Sequence, residues 1–286
     1  MIALATVIRT SRSWATMSII PQRSETPSGT AYVAVGRGEP LVLIHGVGMK
    51  LEAWSPQIET LCESFEVIAA DLPGHGDSTP LPEMAELTDF VRRFSIFLDE
   101  IDRGPASVVG HSMGALIAGG LAVEAPSKVC RVALLNGVHR RDAFAREAVR
   151  QRAAEIETGD FNREAPLRRW FGEGHEHEAA YTLTRQLLAA VDQRGYATAY
   201  HAFANGDAIY ADRWPEVACP ALFLTGEGDP NSTPDMAHAM AAATRLGRAV
   251  IVPGHRHMVN LTAPQPVNNA LCDWMTWTME EVCHDA

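Results

Sequence analysis

The chain has 286 residues, 47% hydrophobic and 21% charged, with a formal net charge of −11. It is long and apolar enough to bury a large core as one big domain, or as one domain with an insertion. An acidic balance repels a phosphate backbone, no basic stripe interleaves with aromatics, and no apolar run approaches the roughly 18 residues that cross a bilayer, so neither nucleic acid nor a membrane is an expected partner.

Met1 to Ser24 begins apolar with no basic stretch ahead of it and no clear cleavage site, so it reads as a disordered lead and not as a signal peptide. Beyond it, short apolar runs recur: TAYVAV, PLVLIH, EVIAA, PASVVG, KVCRVALLN, PALFLT and RAVIVP. Several are continuous, the pattern of strands buried on both faces. Helical spacing fills the gaps. Leu51, Trp54, Ile58 and Leu61 fall on one stripe, as do Leu87, Val91, Phe94, Leu98 and Ile101. Alternation of strand and helix predicts an α/β fold on a doubly wound, mostly parallel sheet.

The rhythm breaks from about Val138 to Trp214, where RRDAFAREAVRQRAAEIE and AAYTLTRQLLAAVDQ are helical and Gly- and charge-rich links join them. The expected organisation is a core of residues 25–137 and 215–286, with residues 138–214 inserted as a helical lid over the sheet's carboxyl edge. The five cysteines are scattered, odd in number and without a C-x-x-C pair. That argues against a disulfide framework and against zinc, and predicts a reducing cytoplasm.

Chemistry concentrates where strand meets helix. In VVGHSMGALIAG, Ser112 stands between a strand run and a helix run, with Gly110 and Gly114 two residues away on either side. So sharp a turn strains its apex residue and lifts the hydroxyl clear of the backbone, while the helix start offers the Met113 N–H to a developing oxyanion. In LVLIHGVGM the glycines let the backbone approach a ligand, so the Val47 N–H is the expected second oxyanion donor. His45 is expected to pack beneath this loop, and no Gly-Lys-Ser/Thr follows to make it a phosphate loop. Asp229 lies just past the strand PALFLT, and His257 just past the last strand. The chain order Ser112, Asp229, His257 is that of a nucleophile-elbow triad of serine, carboxylate and imidazole.

From about Thr30 to Val282 the chain resembles the α/β-hydrolase superfamily, in its helical-cap branch of esterases, lactonases and carbon–carbon bond hydrolases. The segments that carry the resemblance are HGVG, DLPGHGDS, GHSMG, TGEGDP and HMVNLTAP, in family order. It implies that Ser112 attacks, His257 is the base, Asp229 orients it, and Val47 and Met113 form the oxyanion hole. Arg256 stands where the family usually has glycine before the histidine, a second Gly-His pair lies at Gly254–His255, and Thr262 replaces an acidic residue. Asp71 and His75 of DLPGHGDS are expected to be structural. The implied activity is serine hydrolysis of a small carboxylic ester or lactone through an acyl-enzyme, with no cofactor. Cleavage of a vinylogous diketone at a carbon–carbon bond is the alternative, His111 replacing the asparagine common in those elbows; a ligand sensor without catalysis is a further one.

The lid is rich in arginine: Arg140, Arg141, Arg146, Arg150, Arg168 and Arg169. One of them facing the pocket would clamp a carboxylate, and Arg146, Trp170, Tyr196 and Phe203 are the expected substrate contacts. His175 and His177 lack metal-motif spacing and predict a solvated loop, so no metal is expected. The expected partners are a small ester or lactone and, as one option, a second copy of the chain in a homodimer.

Overall fold

The computed structural model describes residues 20–159, 162–175 and 178–277. In chain order its elements are β1 (Ser24–Glu25), β2 (Ala31–Val35), β3 (Pro40–Ile44), α1 (Ser55–Leu61), β4 (Glu66–Ala70), α2 (Leu87–Ile101), β5 (Ala106–His111), α3 (Met113–Glu124) and β6 (Val129–Leu135). Four helices follow before the next strand: α4 (Ala143–Glu157), α5 (Glu164–Phe171), α6 (Ala179–Ala189) and α7 (Gln193–Gly206). The chain then closes with β7 (Ala221–Gly226), α8 (Pro234–Ala243), β8 (Gly247–Val252), α9 (Val259–Thr262) and α10 (Pro264–Thr276). The strands form one sheet in the order β1-β2-β4-β3-β5-β6-β7-β8, antiparallel at β1–β2 and β2–β4 and parallel from β4 to β8.

Strand periodicity splits the core into two layers. Val42 and Ile44 point with Val108, Val132, Leu134 and Phe223 into the cluster that α2 and α3 cover. Leu41, Leu43, Val109, Ala133 and Leu222 point the other way, against Trp54, Ile58, Leu271 and Trp274. Because the central parallel strands are buried on both faces, they must be apolar at consecutive positions, which is why their runs were continuous in the sequence, while the edge strand β8 is only half-buried. α3 is buried at every position from Met113 to Val123, being wedged between the sheet and the helices beyond it.

All seven apolar runs are strands. β1 was not anticipated: two residues carry no periodicity, and it is defined only by pairing Ser24 and Glu25 with Tyr32 and Ala31. The expected lead to Ser24 is therefore too long, since Arg23 is also tied down, bonding Asp71 and Glu52; residues 1–19 lie outside the described residues. Within residues 138–214, α5 occupies part of a stretch read as a link. Its buried Leu167, Trp170 and Phe171 give it a tertiary reason to be helical. Among the described residues no helix is long and apolar enough to cross a membrane.

Of the four helices between β6 and β7, α6 and α7 rest on loops at the carboxyl ends of strands. A Cβ on Gly195 of α7 would lie 1.9 Å from the Gly74 carbonyl oxygen in the loop after β4. Gly48, after β3, meets Leu188 and Tyr196 in the same way. These are contacts that only glycine allows.

Candidate active site

β5 ends at His111 and α3 begins at Met113, which leaves Ser112 alone to turn the chain, at φ 55° and ψ −114°. A non-glycine residue held there stores on the order of 1–3 kcal/mol of strain. The surroundings enforce it. The Ser112 N–H donates to the Leu135 carbonyl at 2.9 Å. A Cβ on Gly110 would lie 1.9 Å from the Gly114 carbonyl oxygen, and one on Gly114 would lie 2.1 Å from that of Ile44. Both glycines are thus required by backbone approaching backbone.

The turn points the Ser112 hydroxyl at an imidazole: Oγ is 3.1 Å from His257 Nε2, and His257 Nδ1 is 2.7 Å from Asp229 Oδ2. A carboxylate only accepts, so the pattern assigns the proton to Nδ1 and leaves Nε2 bare toward the hydroxyl. All three side chains are buried, Ser112 at 7% exposure and the other two at 3%. Asp229 also accepts from the Asn231 N–H and from Asn136 Nδ2, each at 2.8 Å. Burial alone would raise its carboxyl; the facing His257, with these donors, outweighs burial and holds it below its ordinary value.

His257 is fixed from both sides. Its backbone N–H donates to the Trp170 carbonyl at 3.2 Å, and the Trp170 ring stacks on it with centroids 5.9 Å apart. Its carbonyl accepts from His111 Nε2 at 2.8 Å. Burial, then the neighbouring His257, lower the His111 pKa to about 3, so this elbow histidine is a neutral donor. The other nearby histidine, His255, bonds Thr262 Oγ1 at 3.0 Å. Thr262, in the place where an acidic residue was expected, thus supports the loop through its hydroxyl.

Gly46 to Met49 form a turn closed by Met49 N–H donating to Gly46 O at 3.2 Å, with Gly48 at φ 79°. A Cβ on Gly46 would come within 3.0 Å of Ser112 Cβ, so this turn lies directly against the nucleophile candidate. Val47, at its apex, lines one cavity with Ser112 and His257. Met113 opens α3, where the first N–H groups have no partner within the helix.

That cavity is walled by three arginines, Arg141, Arg152 and Arg169, and by Trp170, Tyr200, Phe203 and Asn231. Arg141 is buried against Asp207 (Nη1 to Oδ1, 3.2 Å) and lies over the Phe203 ring at 4.3 Å, while its Nη2 has no partner. Arg152 Nε donates to Tyr200 Oη at 3.1 Å. Among the described residues no carboxylate pairs with Arg152 or Arg169. Burial first, and the charge of Arg152 as well, push the Arg169 pKa down. These two half-buried positive charges have no carboxylate counter-ion among the described residues.

Of the four expected substrate contacts, Trp170 and Phe203 line the cavity and two do not. Arg146 turns away to bond Asp207 and the Arg141 carbonyl. Tyr196, buried beneath Gly48, lines an adjoining cavity that shares Arg152, Arg169 and Tyr200 with the first. Arg140 pairs with Asp212, Arg150 bonds Asn205, and Arg168 is exposed. Arg152, Tyr200 and Asn231 were missed, though each had a signal. Arg152 flanks the Val149, Ala153 and Ile156 stripe of α4, Tyr200 shares a face with Tyr196 and Phe203, and Asn231 follows Asp229 by two. His175 pairs with Glu178, and His177 lies outside the described residues. Among the described residues no group of three or more His, Cys, Asp or Glu could hold a metal ion.

Four known relatives or families resemble the chain. The Alpha/beta hydrolase family matches residues 41–270. The (E)-2-((N-methylformamido)methylene)succinate hydrolase of Acinetobacter baylyi is 49% identical over 247 residues, which are 86% of this chain and 94% of that protein. Among solved structures, a thermophilic esterase from Thermogutta terrifontis superposes with a TM-score of 0.80 at 25% identity, over 92% of this chain and 99% of that one. The enol-lactonase of Burkholderia xenovorans LB400 does so at 0.78 and 25%, over 90% and 100%.

Proposed function

This chain belongs to the alpha/beta hydrolase family, and from that premise we propose that it is a serine hydrolase of small dicarboxylates that carry an acylated nitrogen or oxygen. The observation that carries the proposal is the crowding of Arg141, Arg152 and Arg169 into the cavity that holds Ser112 and His257. In a protein of net charge −11, two half-buried guanidinium groups without a carboxylate partner among the described residues, Arg152 and Arg169, beside the buried Arg141 call for anionic ligands, and their planar forks suit carboxylates. The Acinetobacter relative's name supports the choice, since its substrate is a succinate bearing an N-methylformamido group.

In this reading Ser112 attacks the acyl carbon as His257 Nε2 takes its proton. Asp229 holds the Nδ1 tautomer and favours the imidazolium. The oxyanion forms against the N–H groups of Val47 and Met113. Collapse of the adduct breaks the carbon–nitrogen bond, His257 returns the proton to the leaving nitrogen, and the acyl group stays on Ser112. In an enamide that nitrogen is conjugated to a carboxylate-bearing double bond, which stabilises it as a leaving group. Water activated by His257 then releases the acid. The ester or lactone reading shares every step except the leaving atom. It is favoured by the esterase and enol-lactonase likenesses.

The test is direct. Purified protein is incubated with (E)-2-((N-methylformamido)methylene)succinate, with its dimethyl ester and with an enol-lactone acid, following loss of the conjugated chromophore and release of acid. The diacids are expected to turn over, and Ser112→Ala to lower kcat by at least about a thousandfold while the fold survives. Retained activity in Ser112→Ala, or resistance of the folded wild type to both fluorophosphonate and every acyl substrate, overturns the proposal.

A further inference from the structure

Two histidines that the triad does not use stand on the two loops flanking the oxyanion turn, and their bonds mirror each other. His45, on the loop after β3, has Nδ1 2.8 Å from the Gly46 carbonyl of its own loop, while its Nε2 accepts the Leu72 N–H of the other loop at 3.0 Å. His75, on the loop after β4, has Nδ1 3.2 Å from the Pro73 carbonyl of its own loop, while its Nε2 accepts the Gly48 N–H at 3.0 Å. A carbonyl only accepts and an amide N–H only donates, so both rings are assigned as neutral Nδ1–H tautomers. Both are 1% exposed, with centroids 5.6 Å apart.

We propose that His45 and His75 form a reciprocal clasp whose task is to position the Val47 N–H over Ser112, which makes them positioning residues for the oxyanion hole. The clasp grips the peptides on both sides of Val47, Gly46 by its carbonyl and Gly48 by its N–H. The far end of the same loop is pinned where the Leu51 N–H donates to Asp71 Oδ1 at 2.8 Å, with Arg23 holding the other carboxylate oxygen. Gly48 has φ 79°, a region open to many conformations for glycine, so its neighbours and not its own preference choose this one. Burial lowers the His45 pKa to about 4 and that of His75 to about 3, which keeps both rings neutral while Ser112 works.

The inference rests on the reading of Val47 as an oxyanion donor, and the experiment separates the two. Kinetics with 4-nitrophenyl acetate compare wild type, Ser112→Ala, His75→Leu and His75→Gln, with melting temperatures recorded for each. His75→Leu leaves the Gly48 N–H without an acceptor, whereas the glutamine oxygen of His75→Gln reaches it. Losing one oxyanion donor outright lowers rate by about a hundred- to a thousandfold. We expect His75→Leu to lose at least about tenfold in kcat with KM within about twofold, and His75→Gln to recover most of it at a similar melting temperature. Equal kcat in the two variants, or a loss in KM alone, overturns the clasp. Nitrogen-15 imidazole spectra of the wild type give a second readout should His75→Leu not fold. Two neutral Nδ1–H rings support the clasp, and an Nε2–H ring at either position overturns it. Should the wild type prove inert toward 4-nitrophenyl acetate, the same variants are compared on the diacid; if it also resists fluorophosphonate and every acyl substrate, the hydrolase reading falls while the spectra still decide the clasp.

Discussion

Replacing Arg169 with glutamine probes the arginine-walled cavity most cleanly, because this guanidinium pairs with no carboxylate among the described residues and sits beside Arg152. A guanidinium and a carboxylate about 4 Å apart attract by about 4 kcal/mol at the effective dielectric of a protein surface. Part of that is spent in stripping water from both groups, and hydrogen bonds to charged partners net about 1.5–3 kcal/mol. Taking about 2 kcal/mol, Arg169→Gln should lower kcat/KM for the diacid roughly thirtyfold. For the neutral dimethyl ester it should change by less than about twofold. The melting temperature should hold or rise, because the substitution removes a half-buried charge that faces another positive charge, Arg152. Steady-state kinetics on the diacid and diester pair, with thermal denaturation, read all three quantities. Equal losses on the two substrates would mean that Arg169 shapes the cavity without reading charge, and the dicarboxylate argument would be refuted.

Two further outcomes follow from the same geometry. Asp229→Asn should lower kcat by about ten-thousandfold with the fold intact, since an amide donating to Nδ1 selects the wrong tautomer at His257; stopped-flow acylation rates check this. Acid should unfold the protein with uptake of about three protons. His45, His75 and His111 have folded pKa values of about 4, 3 and 3 against 6.5 ordinarily, so below pH 6.5 the unfolded chain binds more protons than the folded one. Their stabilisation is complete above pH 6.5 and is lost as pH falls toward 4, at about 4 kcal/mol per pH unit for three protons. Urea unfolding midpoints between pH 7 and 4.5 measure the slope, and a flat profile contradicts neutral burial of these rings.

Much of the site was legible because its signals are local. A strand buried on both faces must be apolar at consecutive positions, and the seven runs named themselves. A strand-to-helix turn around Ser112 must have glycines where backbones touch, so Gly110 and Gly114 stood at their required spacing. The arginines were legible only as a class. Of the six named, Arg141 and Arg169 reach the cavity, while Arg146 serves Asp207 and the unnamed Arg152 takes a place in the wall. Which side of α4 faces inward depends on where α5 and α7 pack, and spacing along one helix does not carry that information.

The amino-acid sequence by itself determined the alternation of strand and helix and the elbow, each written in residues adjacent in the chain, and the order of serine, carboxylate and imidazole, each placed by the strand it follows. Only the tertiary structure decided that His257 and not His255 meets Asp229, that three arginines converge on one cavity, and that His45 and His75 clasp each other's loops. Those are meetings of side chains remote in sequence. Their partners are chosen by how helices and loops pack over the sheet, a choice made by the whole core together.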